Sequence, residues 1–146
     1  MPAMSSFTLN VAAPPQRVFD YLSEPRHRPE WQSSLRAVEL DDDGPTGVGT
    51  RWIDRTAVGA RPRMEIVEMH AAGPSGAPGV WSEVGRWRGL CAELTLHFHP
   101  HPRGTRVEGT VEVSGSPWPA RLVLQALAPP AVRADLRRAA RILEQR

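Results

Sequence analysis

The sequence predicts an α+β domain in which a curved antiparallel sheet of seven strands, preceded by two short helices after its first strand, grips one long C-terminal helix. Three observations carry this. Apolar and polar residues alternate through most of the middle of the chain, which gives strands one dry and one wet face. The connections between those segments are short and rich in Gly, Pro and Asp, as hairpins require. The apolar period then changes from two to helical spacing after Pro117, supplying the element that covers the dry face.

The bulk properties agree with one domain over residues 1–146 and one core. A hydrophobic content of 40% is ordinary for a folded protein. No apolar run reaches 18 residues, so no membrane-spanning helix is expected. Met1 to Leu9 lacks a basic start followed by an apolar block, which reads as no secretory signal and a cytoplasmic location. Cys91 is the sole cysteine, so no internal disulfide forms. All 18 basic residues are Arg, against 16 acids, and guanidinium stays charged at any practical pH. They are scattered, which argues against a nucleic-acid partner. Only Arg133, Arg137, Arg138 and Arg141 crowd together, and they suit the wet face of a helix. Arg without Lys, amid much Ala, Gly and Pro, suggests a GC-rich bacterial genome.

The elements follow in order. Ser6–Val11 is the first strand, with Phe7, Leu9 and Val11 on one face. Pro14-Pro15 opens a helix to about Leu22, since proline is tolerated in a first turn. Ser23 is placed to cap a second short helix running through Pro25 to Trp31, limited by Pro29. Six strands are expected at 35–40, 49–58, 63–70, 80–88, 92–99 and 105–114. Asp41–Gly49 and Ala71–Gly79 are breaker-rich loops. Met64 and Ile66 compete with Val67 and Met69 for the inward side of their strand. In the tail, Trp118, Leu122, Gln125, Val132, Leu136, Ala139 and Leu143 fall on one helical stripe, and Pro129-Pro130 predicts a kink or break. A strongly bent sheet cannot meet a straight helix along its whole length, so a space for a ligand is expected between them.

Certain segments resemble a known family. These are the apolar strand and Ala-Pro before Val18-Phe19, the Tyr21-Leu22 pair, and the Pro29–Trp31 corner. The turn from Gly44-Pro45 through Gly47-Val48-Gly49-Thr50 and the terminal LRRAARILE helix belong with them. The chain resembles, over nearly its whole length, the polyketide cyclase/dehydrase and lipid-transport group of the START-like, birch-allergen-like (SRPBCC) superfamily. The resemblance implies the helix-grip fold and a hydrophobic ligand in its cavity. Its motifs are turns, caps and core positions and form no catalytic signature. The Ala71–Gly79 loop and the double proline of the last helix depart from the usual pattern at the expected cavity mouth.

Five tryptophans are many for this length. Each is either core filling or a wall that stacks on a flat ligand. Trp81 and Trp87 share a strand face with Glu83 and Gly85, and Trp52 shares one with Asp54. With inward faces, the expected cavity set is Trp52, Asp54, Ile66, Glu68, Trp81, Glu83, Trp87, Leu94, Leu96 and Phe98 from the sheet, with Trp118, Leu122 and Gln125 from the helix. Asp54, Glu68 and Glu83 are the polar candidates. A carboxylate in an apolar cavity has a raised pKa and can donate to a carbonyl or act as acid and base; otherwise each is a solvated partner of a nearby Arg. His97, His99 and His101 lie at strand spacing but away from the apolar face, so no metal is expected. Cys91 reads as packing, with no His or Asp placed to activate it. There is no Ser-His-Asp set, phosphate-cradling loop or zinc spacing, and no cofactor is expected.

The expected function is a carrier or sensor of an apolar metabolite such as a polyketide, lipid or isoprenoid. The alternative is an aromatase/cyclase that closes a poly-β-ketone by aldol addition and water loss, with Asp54, Glu68 or Glu83 moving the proton. An interaction module, docking through the sheet edge or the tail helix, is the third reading. A monomer or homodimer is compatible with all three.

Overall fold

A computed structural model describes residues 3–73 and 76–146. Seven antiparallel strands form one sheet: β1 (Ala3–Val11), β2 (Leu35–Leu40), β3 (Arg51–Thr56), β4 (Arg63–His70), β5 (Gly79–Trp87), β6 (Leu90–His101) and β7 (Gly104–Gly115). Their order is β1-β7-β6-β5-β4-β3-β2, so the first two strands occupy opposite edges. The chain between them carries α1 (Pro15–Leu22), a 3-10 turn (Pro25–His27) and α2 (Arg28–Trp31). The last element is α3 (Trp118–Glu144).

Alternation sets the faces as the sequence indicates. Leu94, Leu96 and Phe98 of β6 and Val107, Val111 and Val113 of β7 are buried on the inner face. Gly109 leaves room there for the Phe7 ring of β1, which an added Cβ would meet. α1 buries Val18, Phe19, Tyr21 and Leu22, and Phe19 meets Phe98 edge-on with ring centroids 5.4 Å apart. α3 seals this end with Leu136, Ala139, Ala140 and Leu143.

Several local expectations are corrected. Ser23 ends α1 instead of opening the next helix; its N–H bonds the Phe19 carbonyl at 2.9 Å. The following turn is capped by Glu24, whose carboxylate accepts from the Arg26 N–H. β4 resolves its competition with a register shift between Ile66 and Glu68. The extra residue reverses the alternation. Met64 and Ile66 therefore point inward before it, Met69 packs on the core after it, and Val67 and Glu68 are exposed. β6 runs on through His101, and Cys91 lies half-buried on the outer face, not in the core. Loops occupy the expected breaker-rich stretches, although Pro74 and Ser75 of the second lie outside the described residues, as do Met1 and Pro2 of the segment read for a secretory signal.

α3 continues through Pro129 and Pro130 without the expected break. Their missing N–H groups leave the Gln125 and Ala126 carbonyls without i+4 donors. The face that α3 buries differs between its halves. On an ideal projection of about 100° per residue, Leu124 and Ala128 are offset by roughly 70° from Leu136, Ala139 and Leu143, with Val132 between the centres of the two sets. Helical spacing alone places both halves on one straight stripe. Trp118 and Leu122 are consequently exposed, at 63% and 49%.

Candidate functional site

α3 packs on β1, β7 and α2. Over the middle of the sheet its first half stands off, leaving a hollow of about 350 Å³. That is within the range of small-molecule sites. Trp31, Met64, Trp87, Leu94, Leu124 and Val132 form apolar walls, and Arg28, Asp54 and Glu83 also line it.

The charged group is built from three elements. β3 carries Asp54 inward, two residues from Trp52, whose indole Nε1 donates to Asp54 Oδ1 at 2.8 Å. β5 carries Glu83 inward beside Ile66 and Leu94 of the neighbouring strands. α2 supplies Arg28. Its Nη1 lies 3.0 Å from both Glu83 oxygens, and its Nε donates to Gln32 Oε1 at 2.8 Å. Arg28 is only 4% exposed and Glu83 3%. Burying such a pair is tolerated when hydrogen bonds satisfy it, because an unpaired interior charge is far more costly.

Aromatic faces complete the arginine's surroundings. The Arg28 guanidinium carbon lies 5.1 Å from the Trp31 ring centroid and 5.9 Å from those of Trp52 and Trp81. Guanidinium is weakly hydrated and attracted to the negative face of an indole. Trp52 and Trp81, each 1% exposed, thus pack around the cation and do not line the hollow.

Burial raises the Asp54 carboxyl above its ordinary value, while the nearby Arg28 charge and the Trp52 hydrogen bond act against the rise. Burial likewise raises Glu83; Arg28 opposes this and the neighbouring Asp54 adds to it. The two acids differ in availability. Glu83 is bound through both oxygens to Arg28. Asp54 forms no ion pair, and neither its Oδ2 nor Arg28 Nη2 has a hydrogen-bond partner among the described residues. An acceptor and a cationic donor therefore remain free on one wall.

Of the residues expected in the cavity, Asp54, Glu83, Trp87 and Leu94 line the hollow. Trp52, Trp81, Ile66, Leu96 and Phe98 are inward but sit in the solid core. Glu68 is removed by the β4 register shift and faces outward near His70. Trp118 and Leu122 face away from the hollow, and Gln125 Nε2 donates to the Val113 carbonyl. Sequence reasoning missed Arg28, one of 18 arginines. A signal existed: two carboxylates on an inward face require a cation, and the short helix beside Trp31 was the element left to supply it. His97 and His99 stack on the outer face, with His99 Nε2 at 3.3 Å from Glu108. No metal-holding group of three His, Cys, Asp or Glu occurs among the described residues. No helix among them is long and apolar enough to cross a membrane.

Known structures share this architecture. Norcoclaurine synthase from Thalictrum flavum, in complex with dopamine and hydroxybenzaldehyde, is 15% identical with a TM-score of 0.73; the match covers 99% of this chain and 88% of that one. The Zhui aromatase/cyclase from Streptomyces sp. R1128 is 16% identical with a TM-score of 0.75, over 100% and 96% of the two chains. The di-domain aromatase/cyclase StfQ of the steffimycin biosynthetic pathway is 17% identical with a TM-score of 0.71, over 99% of this chain and 51% of that one. At these identities the likeness establishes the helix-grip fold. No curated protein matches the sequence. The sequence profile for polyketide cyclase/dehydrase and lipid transport matches residues 4–146. The chain belongs to the polyketide cyclase/dehydrase and lipid-transport family.

Proposed function

We propose that the protein binds a flat, largely apolar small molecule carrying at least one polar oxygen, as a carrier or sensor. The observation that carries this reading is a largely apolar hollow in which Asp54 Oδ2 and Arg28 Nη2, on the same wall, are unpaired among the described residues. Apolar walls supply affinity, and a few convergent polar groups set orientation. Titration with 2-naphthol is expected to quench tryptophan fluorescence saturably, because Trp31 and Trp87 line the space. Ala128→Trp, which fills the hollow from α3, is expected to abolish the quenching. Equal binding by the filled and unfilled proteins would refute the reading.

The raised carboxyl of Asp54 beside a guanidinium favours a second reading, an aldol cyclase/dehydratase. Asp54 takes a proton from a carbon between two ketones, and Arg28 Nη2 holds the resulting enolate oxygen. The enolate carbon bonds to a second carbonyl, whose alkoxide recovers the proton from Asp54; a further α-proton and the hydroxyl then leave as water. Glu83 is a poor base while both oxygens face Arg28. The test is turnover of a linear triketone thioester by Asp54→Asn. Full activity with 2-naphthol binding retained would eliminate this chemistry.

A further inference from the structure

The outer side of α3 carries an exposed apolar surface that the core does not use. Trp118, Leu122, Val123 and Leu127 are 63%, 49%, 57% and 62% exposed. Their spacing joins Trp118 to Leu122 and Val123 to Leu127 as i, i+4 neighbours, and exposed Ala126 and Pro130 lie between the two rows. Single exposed apolar residues are ordinary, but a contiguous stripe on one helix marks a contact surface.

The same side of the helix becomes strongly basic in its second half. Arg133, Arg137 and Arg141 repeat at i, i+4 and i+8, with Arg138 beside them; all four are exposed. None forms an ion pair or a side-chain hydrogen bond among the described residues, and no other helix carries four such arginines on one side. Like charges at i, i+4 oppose helix formation. An anionic surface would remove that opposition.

We propose that this face of α3 docks peripherally on an anionic lipid bilayer, with Trp118, Leu122, Val123 and Leu127 entering the interface and the four arginines meeting headgroup phosphates. Apolar side chains, Trp among them, enter the interface and juxtamembrane arginines are drawn to anionic headgroups; on α3 the two groups follow one another along one side, so one surface can present both. A second copy of the chain is disfavoured, because a parallel pairing would oppose arginine to arginine and a full antiparallel one would lay each basic half against the partner's apolar half. A nucleic acid would leave the apolar half exposed. The opposite side of the same half carries Leu124 and Ala128 against the hollow, so docking brings the ligand space beside the bilayer.

The test is co-sedimentation of the whole protein with vesicles of phosphatidylcholine alone or mixed with phosphatidylglycerol. Binding is expected only to the anionic vesicles and is expected to fall as salt rises. Each arginine neutralised should weaken it about fivefold, so Arg133→Gln, Arg137→Gln and Arg141→Gln together should weaken it about a hundredfold. Leu122→Ser with Leu127→Ser should weaken it about tenfold or more. These substitutions are on the surface, and unchanged melting curves confirm intact folding. Equal binding to both vesicle types, no binding to either, or a stable dimer in solution that these substitutions dissociate would overturn the proposal.

Discussion

Arg28 and Glu83 form a buried ion pair, Nη1 to Oε1 at 3.0 Å, joining a four-residue helix to the middle of the sheet. No other ion pair among the described residues has both side chains so enclosed. It fixes one end of the hollow and leaves Arg28 Nη2 toward the space where Asp54 also lies.

Glu83→Gln should leave the guanidinium among three indoles without its ion-pair partner, with only the Asp54 carboxyl nearby. A loss of about 3–5 kcal/mol is expected, measured by urea denaturation. Arg28→Met combined with Glu83→Gln should be less damaging than the sum of the single changes, because no interior charge of the pair then remains. Strict additivity would show that the pair is not energetically coupled.

The raised carboxyls give stability a definite dependence on pH. Asp54 and Glu83 hold protons more tightly in the folded chain than in the unfolded one. The penalty for their buried charge is absent below the ordinary carboxylate range and grows as pH rises through their raised folded values. Asp54→Asn keeps an acceptor for the Trp52 indole and removes the charge. Its melting temperature should exceed that of the parent protein at about pH 8, with the gap closing toward acid. A gap independent of pH would contradict this assignment.

Gly85 sets the depth of the hollow. A Cβ there would lie 2.7 Å from Met64 Sδ and 3.0 Å from its Cε. Gly85→Ala should destabilise the protein by about 1–3 kcal/mol and push Met64 into the space both residues line. Affinity for 2-naphthol should fall, and shortening Met64 to Ala in the same protein should restore it. Unchanged binding in Gly85→Ala would place the probe elsewhere.

Replacing Pro129 and Pro130 by Ala restores donors for the Gln125 and Ala126 carbonyls. The double variant should melt higher, because proline inside a helix is about 3 kcal/mol less favourable than alanine. A lower melting temperature would mean that the prolines are held in place by packing that outweighs the missing hydrogen bonds.

Much of the architecture is determined by local pattern. Alternation in β6 and β7, proline at the start of α1 and the helical spacing of the tail each depend on near neighbours, so the sequence by itself determined seven strands, the apolar side of β1, β6 and β7 and the covering helix. The same parity groups Asp54 with Trp52 and Glu83 with Trp81, and the folded sheet turns that face inward. What only the tertiary structure decided involves residues far apart in the chain. The β4 register shift carries Glu68 outward and Met69 inward, because pairing with β5 outweighs simple alternation. The facing of α3 depends on how far the sheet curves away beneath it, which exposes Trp118 and Leu122 and turns Leu124 and Ala128 toward the hollow. Arg28 is singled out from its many equivalents only when folding brings α2 against Glu83, 55 residues later, where a buried carboxylate requires a cation.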